Sequence, residues 1–377
     1  MIPRKLPAVF MRGGTSKALI FHASDLPKDR SERDAIFLQA MGSPDQYGRQ
    51  LNGMGGGLSS LSKVGIIAPS DRPDADIEYT FAQVVVKEAR VDYGSNCGNI
   101  SSAVGPFAVD EKIVSVSGEE ATIRIFNTNT QKIIHSTFCM RGGRAACEGN
   151  LEIPGVTGRG APIRLDFLEP GGASTGKLLP TGNVKDVLEV SDVGKVEISM
   201  IDAGNACAFV TAESLGISGA EMPDELDGNV ELLKKLAAIR LHASVAMGYS
   251  SSLDEARTKP AIPFIGFVSP PQDTRTISGE WLPATTADLT VRMISNGQPH
   301  RALPLTGALC ATVAAHIKCT TVSQVARKGL GETLRISMPS GILTVGASVR
   351  QEDSQWHALY GSLFRTARRL FEGFVYA

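Results

Sequence analysis

One cysteine lies in a setting that would make a thiol reactive. Cys97 stands in NCGN (96–99), directly before an apolar segment with helical character. The N-terminus of a helix carries unpaired N–H groups and a partial positive charge, and both favour a thiolate. The same groups bind carboxylates, and Gly98, Ser101 and Ser102 leave room for a ligand. A buried structural thiol is the alternative interpretation.

One lysine follows a stretch that is rich in glycine and serine. The segment MGGGLSSLSK (54–63) delivers Lys63 to the start of KVGIIAP, an apolar run typical of a buried strand. An exposed surface lysine is the ordinary alternative. At the start of a buried strand a lysine is partly desolvated, and desolvation makes its amine available as a base.

Two further segments could hold an anion. MRGGTSK (11–17) surrounds two glycines with two cations and two hydroxyls, from Arg12, Thr15, Ser16 and Lys17. An ordinary polar hairpin turn is an equally good interpretation of this segment. His300, in GQPHRALPLTG, lies just before a second apolar segment that opens at Thr306 and Gly307. Contact with an anion and a structural role are both open for this histidine.

The segment GGASTGKLL (171–179) imitates a nucleotide-binding loop. Gly171, Gly176 and Lys177 satisfy G-x4-G-K, but Leu178 stands where a phosphate-binding loop needs Ser or Thr. No strand-like run directly precedes the segment. A loop that lines a substrate site or joins two domains is therefore the preferred interpretation.

Other familiar catalytic patterns do not stand out. There is no Ser-His-Asp order, and the six cysteines include no C-x-x-C pair, so a structural zinc site is not expected. Cys310 lies about one turn inside the second apolar segment and is assigned to packing. A structural role is assigned to Cys139, Cys147, Cys207 and Cys319. We expect neither a metal nor a cofactor.

The hydrophobic pattern predicts the elements that must position these residues. Runs rich in β-branched and aromatic residues predict strands at 18–23, 77–91, 121–128, 195–203 and 206–212. Helices that close on glycine are predicted at 29–42 and 229–248. Segments 100–109 and 306–317 are apolar on nearly every side, which predicts two buried helices.

Two buried helices suggest two domains, each wrapped around one of them. A faint internal repeat agrees, because GTSKALIFHASDL from Gly14 aligns without a gap with GNACAFVTAESLG from Gly204. The prediction is an α/β (α+β) protein with a first half at 1–185 and a second at 186–377. The last residues could return to the first half.

Composition limits the classes of protein to consider. The chain has 377 residues, enough for two domains, with 42% apolar residues, 20% charged residues and a net charge of −1. Lys and Arg are scattered, so neither a nucleic-acid surface nor a polybasic membrane patch is expected. No run of about 18 apolar residues occurs, and the N-terminus does not resemble a signal peptide. The cytoplasm, with reduced thiols, is the expected location.

Several separated motifs, in order, together resemble the PrpF family. They are MRGGTSK, SPD (43–45), GMGG…SK ending at Lys63, NCGN, GPFA (105–108), TGK…PTGN (175–183) and RTARRL.EG (365–373). The resemblance runs from about residue 8 to the end of the chain. This family includes 2-methylaconitate cis–trans isomerase, 3-methylitaconate Δ-isomerase and 4-oxalomesaconate tautomerase.

The resemblance implies a diaminopimelate-epimerase-like fold. In that fold two pseudo-symmetric domains each wrap a sheet around a central helix, with the active site in the cleft between them. It also implies a cofactor-free enzyme whose catalytic lysine and cysteine map onto Lys63 and Cys97. Epimerases and racemases of the wider superfamily use two opposed cysteines. Here the second helix opens with Thr306 and Gly307, so two-thiol racemisation is disfavoured.

The resulting hypothesis is an isomerase of small unsaturated di- or tricarboxylates. Lys63 would remove an allylic proton and Cys97 would return one, although the sequence does not decide which residue is the base. The substrate would be held by Arg12, Thr15, Ser16, Lys17, Ser62, Asn96, Gly98, Asn99, His300, Arg301, Thr306 and Gly307. The alternatives are an amino-acid racemase or epimerase and a non-catalytic carboxylate-binding accessory protein of an aconitase-like enzyme. A homodimer is the expected oligomeric state.

Overall fold

The structure is a computed structural model that describes residues 4–94, 96–295 and 297–377. The chain divides into two compact units. Unit 1 comprises Met1–Asp166 and Phe364–Ala377, and unit 2 comprises Phe167–Leu363. The sequence places the boundary between the halves at 185, whereas the units divide at 166. The C-terminal segment belongs to the first unit.

Seven α-helices occur in the described part of the chain. They are α1 Arg30–Met41, α2 Gly98–Asp110, α3 Pro223–Gly228, α4 Val230–Ala246, α5 Leu253–Thr258, α6 Leu305–His316 and α7 Thr321–Val325. The predicted helix at 29–42 is α1: the Asp29 side chain accepts a hydrogen bond from the Glu32 N–H, and Gly42 ends the helix in the left-handed conformation. The predicted helix at 229–248 is α4.

The strands of the first half of the chain are β1 Lys5–Gly13, β2 Ser16–His22, β3 Lys63–Pro69, β4 Ile77–Val84, β5 Val91–Asp92, β6 Glu120–Asn127, β7 Lys132–Arg141, β8 Arg144–Ala145, β9 Leu151–Ile153, β10 Val156–Gly160 and β11 Ile163–Leu168. The remaining strands are β12 Asp186–Val190, β13 Gly194–Ala203, β14 Asn205–Thr211, β15 Phe264–Ser269, β16 Thr274–Arg275, β17 Trp281–Leu282, β18 Leu289–Ser295, β19 Gln298–Pro299, β20 Thr333–Met338, β21 Gly341–Glu352, β22 Gln355–Arg365 and β23 Ala367–Tyr376. Strand β23 lies in unit 1, where it pairs antiparallel with β1.

The two units share one order of strand pairing. In unit 1, β1–β2 is antiparallel, β2–β3 parallel, β3–β4 antiparallel, β4–β6 parallel and β6–β7 antiparallel. In unit 2 the same alternation runs through β13–β14, β14–β15, β15–β18, β18–β20 and β20–β21. The pseudo-symmetric fold predicted from the sequence is therefore confirmed.

Each unit is built around one buried helix. All residues of α2 from Gly98 to Val109 are buried, and so are all residues of α6 from Leu305 to Ala315. Helix α2 packs against β1, β6 and β7, and α6 packs against β13, β14 and β21. These are the two helices that the all-round apolar segments predicted, since a helix without a polar face has no side to turn to water.

The strand predicted at 77–91 is wrong in its second part. Strand β4 ends at Val84, and the chain then reverses through a turn in which the Val85 N–H donates to the Arg90 carbonyl at 3.0 Å. The short strand β5 returns to pair with β4. Charged residues between the two apolar runs favour an exposed turn over a continuous strand, here Lys87, Glu88 and Arg90.

Within the described residues, no helix combines the length and the apolar character needed to span a bilayer.

Candidate active site

Cys97 occupies the N-cap position of the buried helix α2, as the sequence predicted. Its carbonyl accepts hydrogen bonds from the Ser101 N–H at 2.9 Å and the Ser101 hydroxyl at 3.1 Å. The thiol makes no capping hydrogen bond of its own and is partly exposed. The sulfur therefore lies at the positive end of a helix dipole.

Asn96 fixes the entry of the chain into α2. It is 5% exposed, and its Oδ1 atom accepts hydrogen bonds from Asn127 Nδ2 at 3.3 Å and the Ser101 hydroxyl at 3.4 Å. Asn127 is itself held by the Thr130 N–H, which donates to its Oδ1 at 2.9 Å. Both asparagines thus support the backbone that carries Cys97.

The hairpin between β1 and β2 lies against the first turn of α2. Asn99 Nδ2 donates to the Thr15 hydroxyl at 3.1 Å, and the Thr15 N–H donates to Asn99 Oδ1 at 3.4 Å. A Cβ atom on Gly13 would lie 2.4 Å from the Asn99 carbonyl oxygen. Gly14 has a φ of 50°, the left-handed region that favours glycine. The two glycines are therefore what allows the close approach of hairpin and helix.

The cations of this hairpin have different surroundings. Arg12 Nη1 donates to the Gly14 carbonyl at 3.0 Å and the Thr366 carbonyl at 2.9 Å, and Nη2 donates to the Thr366 hydroxyl at 3.0 Å. Burial and, secondarily, Arg368 lower the pKa of Arg12. Lys17 lies opposite Arg12 in the register of β1 and β2, and its Nζ lies 5.5 Å from the centre of the Phe10 ring.

The side chains of Ser16 and Ser62 are buried. Ser16 is 3% exposed and alternates with Lys17 along β2, so the two side chains point to opposite faces. The Ser62 hydroxyl donates to the Val84 carbonyl at 2.9 Å and accepts from Gln50 Nε2 at 2.7 Å. Both bonds of Ser62 anchor the residue that precedes Lys63.

Lys63 is the first residue of β3 and only 8% exposed, as the apolar segment after it predicted. Its Nζ donates to Gln83 Oε1 at 2.6 Å and lies 4.9 Å from the centre of the Phe81 ring. In the described part of the chain no carboxylate pairs with the Lys63 Nζ. Gln83 Nε2 in turn donates to the Ser62 carbonyl at 2.9 Å, so the amide side chain is held at both ends.

One face of β4 connects the lysine with the cysteine. Residues two apart on a strand point to the same face, so Tyr79, Phe81 and Gln83 form a row on β4. Gln83 and Phe81 contact Lys63, while Tyr79, at the other end of the row, interacts electrostatically with Cys97. Both residues therefore border the same face of this strand in unit 1.

Tyr79 is fully buried, and in the described part of the chain its hydroxyl has no hydrogen-bond partner. Burial, with a smaller contribution from Cys97, raises the pKa of its phenol well above the usual range. Sequence reasoning missed both Tyr79 and Gln83. Their period-2 spacing on β4 was the available signal, but this spacing does not indicate which face of the strand lies toward Cys97.

Unit 2 repeats the contact between hairpin and helix with the residue types exchanged. Asn205 Nδ2 donates to the buried Thr306 hydroxyl at 2.8 Å, next to Gly204 with a φ of 76°. In unit 1 the hairpin contributes the threonine and the helix contributes the asparagine. Gly307 serves packing, because a Cβ atom there would lie 2.4 Å from Met293 Sδ.

The two basic residues predicted in unit 2 lie before α6. His300 is partly exposed, with its ring centre 6.3 Å from that of Phe264. Arg301 is exposed and forms an ion pair with Asp224 at 3.3 Å. Neither contact requires a ligand, and their predicted role in substrate binding stays a prediction.

A second thiol is not available at the start of α6. The N-cap residue there, equivalent to Cys97 in α2, is Pro304. Cys310 lies further inside the helix and is fully buried, with its Sγ 3.3 Å from the Ile201 carbonyl oxygen. Burial, with hydrogen bonding to Cys310, raises the pKa of the adjacent Cys207 thiol. Cys207 and Cys310 pack the core of unit 2, as the sequence predicted, whereas Cys139, Cys147 and Cys319 are exposed and take no part in core packing.

The loop at 171–179 wraps around a carboxylate of the protein itself. Asp202 Oδ2 accepts hydrogen bonds from the N–H groups of Ser174 and Thr175 at 2.8 and 2.6 Å, and from the Thr175 hydroxyl at 2.8 Å. The donors that a phosphate would need are thus engaged. Among the described residues, no group of three or more His, Cys, Asp or Glu side chains could hold a metal ion.

The chain is similar to known proteins along its whole length. The sequence signature described as PrpF protein matches residues 3–377. The chain is 42% identical over 375 residues to 3-methylitaconate isomerase of Eubacterium barkeri, covering 99% of this chain and 97% of the relative. It is 37% identical over 382 residues to 2-methyl-aconitate isomerase of Shewanella oneidensis, covering 98% and 96%.

Solved structures agree with the fold. A crystal structure of methylitaconate-delta-isomerase superimposes with a TM-score of 0.83 at 41% identity, covering 100% of this chain and 96% of that one. A hydroxyproline epimerase from Agrobacterium vitis gives a TM-score of 0.56 at 11% identity, covering 99% and 93%, a likeness of fold alone. Together with the repeated strand order, these likenesses identify the fold as diaminopimelate-epimerase-like.

Proposed function

The chain belongs to the PrpF protein family, and from this premise we propose that it isomerises the C=C bond of a small unsaturated di- or tricarboxylate without a cofactor. The observation that carries the proposal is the row on β4, which joins a buried amine and a thiol within one unit. Whole-length relatives named for methylitaconate and methylaconitate isomerisation support the substrate class.

Lys63 acts as the base in this proposal. Gln83 Oε1 accepts one Nζ–H at 2.6 Å, which orients the amine, and Phe81 covers its other side. A neutral lysine amine then takes the proton allylic to the C=C–COO⁻ unit and becomes an ammonium ion. A positioned proton-transfer group of this kind contributes on the order of 10²–10⁴-fold to the rate.

The carbanion that remains is delocalised into the carboxylate. The developing negative charge is stabilised by the N–H groups and the dipole at the start of α2, which are already oriented before the reaction. The proton of the Cys97 thiol is then delivered to carbon, leaving a thiolate at the same helix terminus. Exchange with solvent, or direct transfer, returns the Lys63 proton to the sulfur and completes the cycle.

The carbon that receives the proton decides the product. Return to the γ carbon moves the double bond, which is a Δ-isomerisation. Rotation followed by return to the original carbon is a cis–trans isomerisation. We propose 3-methylitaconate as the first substrate to test, because the relative of that name is 42% identical.

Proton NMR in D₂O with 3-methylitaconate, cis-aconitate and 4-oxalomesaconate tests the proposal. Deuterium entering an allylic position with a shifted double bond is expected for the wild type. Lys63→Ala and Cys97→Ser should each lose at least about 100-fold in kcat, whereas the exposed-residue controls Lys28→Ala and Cys147→Ser should not. Binding of these acids without exchange in folded, reduced protein would instead favour the accessory-protein alternative.

We also propose a cytoplasmic homodimer. All six cysteines are free thiols, as in proteins kept in a reducing compartment. On one face of β23, Phe374 and Tyr376 are exposed by 52% and 63%, and exposed apolar patches mark association surfaces. Sedimentation velocity should give a dimer that Phe374→Ser weakens, and a monomer at micromolar concentration would contradict this assembly.

A further inference from the structure

Arg365 is a buried cation without a counter-charge among the described residues. It is 4% exposed, and its guanidinium donates two hydrogen bonds, from Nε to Asn99 Oδ1 at 3.2 Å and from Nη1 to the Phe364 carbonyl at 3.0 Å. A guanidinium has five N–H donors. No carboxylate of the described residues forms an ion pair with it. Neutral acceptors thus satisfy only part of this side chain.

Burial of such a group is costly. Desolvation alone lowers the pKa of Arg365 to about 9, because an ionised group without a partner is unstable away from water. Arg292 in unit 2 shows how the chain buries a structural arginine. It is 1% exposed and donates to four backbone carbonyls, those of Ala220, Glu221, Val291 and Ser337. Arg365 has no comparable set of acceptors.

The side chain of Arg365 lies beside the start of helix α2. Asn99, to which it donates, lies in the first turn of α2, two residues after Cys97. A Cβ atom on Gly14 would lie 3.1 Å from the Arg365 Cδ, so the side chain also borders the β1–β2 hairpin. The guanidinium therefore adds a full positive charge to a helix terminus that is already partly positive.

A second arginine strengthens this potential. Arg12, on the same hairpin, is partly buried and donates only to the neutral oxygens of Gly14 and Thr366, the residue after Arg365. It likewise has no carboxylate partner among the described residues. Two guanidiniums and one helix N-terminus thus share this region of unit 1 without a compensating acidic side chain, an arrangement suited to an anion.

We propose that Arg365 is the substrate-binding residue that neutralises the carboxylate next to the carbon that loses its proton. The inference rests on the proposed isomerase function and deepens it, because it requires that carboxylate to be ionised. A guanidinium near this group supports the delocalised carbanion as well as the ground state. The substrate class follows: a polycarboxylate whose carboxylate at α2 is free, with esters and amides at that position excluded.

Binding of tricarballylate, a saturated tricarboxylate that cannot isomerise, separates recognition from chemistry. Titration calorimetry should show about 10- to 100-fold weaker binding for Arg365→Gln. The affinity of Arg365→Lys should lie between those of the wild type and Arg365→Gln, since an ammonium group keeps the charge but lacks the planar geometry of the guanidinium. Arg141→Gln, which removes an exposed arginine of the same unit, should bind as the wild type does.

Two further measurements distinguish a role of Arg365 in binding from a purely structural role. Circular dichroism and the melting temperature establish that each variant is folded. If Arg365→Gln does not fold, Arg365→Lys carries the test with the same direction of effect. Dilute guanidinium chloride, far below denaturing concentrations, should restore part of the binding lost in Arg365→Ala, which a misplaced helix terminus would not allow.

The outcomes distinguish this inference from the proposed function. Wild-type affinity for tricarballylate in folded Arg365→Gln and Arg365→Lys would overturn the role of Arg365 even if the wild type isomerises 3-methylitaconate. Loss of binding in the variants without any wild-type turnover would overturn the proposed reaction and leave the carboxylate site supported. A wild type that does not bind tricarballylate at millimolar concentration would overturn the carboxylate site itself.

Discussion

Lys63 owes its chemical setting to two residues of the neighbouring strand. Gln83 holds its amine at 2.6 Å, and the Phe81 ring lies 4.9 Å from Nζ. The lysine is thus buried and forms no ion pair with a carboxylate among the described residues. Cys97 is positioned by its place as the N-cap residue of α2, and its thiol makes no capping hydrogen bond.

Replacing Gln83 by leucine should impair proton transfer more than binding. The change keeps a side chain of similar size but removes the acceptor that orients the Lys63 amine. We expect kcat for 3-methylitaconate to fall by about 10-fold or more while KM changes little, since a misaligned base loses part of the general-base contribution. Steady-state kinetics check this, with the exposed Gln351→Leu as control. An unchanged kcat would mean that Gln83 does not orient the amine.

Removing the Tyr79 hydroxyl should stabilise the protein. This hydroxyl is buried and has no partner in the described part of the chain, so its desolvation is not offset by a hydrogen bond. Tyr79→Phe keeps the ring and removes the unsatisfied group, and we expect the free energy of unfolding to rise by about 1 kcal/mol. Urea denaturation measures it. A loss of stability would show that the hydroxyl has a partner in solution.

At the scale of elements, each hairpin of the repeat fixes the start of a buried helix. In unit 1, Thr15 and Asn99 exchange two hydrogen bonds between the β1–β2 turn and α2. In unit 2, Asn205 binds Thr306 at the start of α6. The two helices differ in the N-cap residue, which is a cysteine in α2 and Pro304 in α6. A thiol at the start of only one of these two helices supports the proposed isomerase over a two-thiol racemase.

Gly13→Ala should displace the start of α2. The added Cβ would lie 2.4 Å from the Asn99 carbonyl oxygen, and backbone rather than a flexible side chain must move. We expect a loss of about 1–3 kcal/mol in stability and a fall in kcat of at least about 10-fold, because Cys97 moves with the helix terminus. Gly331→Ala, where a Cβ meets nothing within 4 Å, is the control. Equal effects in both variants would refute the close-approach argument.

At the scale of the whole molecule, Asp288 should make the free energy of unfolding depend on pH in the acidic range. Asp288 accepts hydrogen bonds from the Arg335 N–H and guanidinium at 3.0, 3.0 and 2.7 Å. Hydrogen bonding to Arg335 lowers the pKa of Asp288. A carboxyl group whose pKa is lower in the folded state contributes stability above its unfolded pKa, about 4 for Asp, and loses it as the pH falls further.

Asp288→Asn should therefore destabilise the protein at pH 7 and much less near pH 3. We expect about 1–3 kcal/mol at pH 7, the range for hydrogen bonds to charged groups, and convergence of the two proteins once wild-type Asp288 is protonated. Urea unfolding at pH 3, 5 and 7 measures the difference. Asp254→Asn, which removes a carboxylate from an exposed ion pair with Arg257, should change little. A difference independent of pH would assign the effect to packing.

Much of this protein follows from its sequence alone. The two buried helices are apolar on all sides, and such segments have only one stable environment, so their existence and their burial were predictable. The reactive setting of Cys97 and the burial of Lys63 follow from the apolar segments that begin at each residue. Local sequence carries this information because periodicity and end signals act within a few residues.

Only the tertiary structure decided which side chains surround the candidate catalytic pair. Gln83 reaches Lys63, and Tyr79 reaches the region of Cys97, because β4 pairs with β3 in one register, and a shift by one residue would turn both to the other face. Arg365 reaches the start of α2 from a position 266 residues beyond Asn99. Pairing register and long-range packing are set by the whole core, and no local pattern in the sequence specifies them.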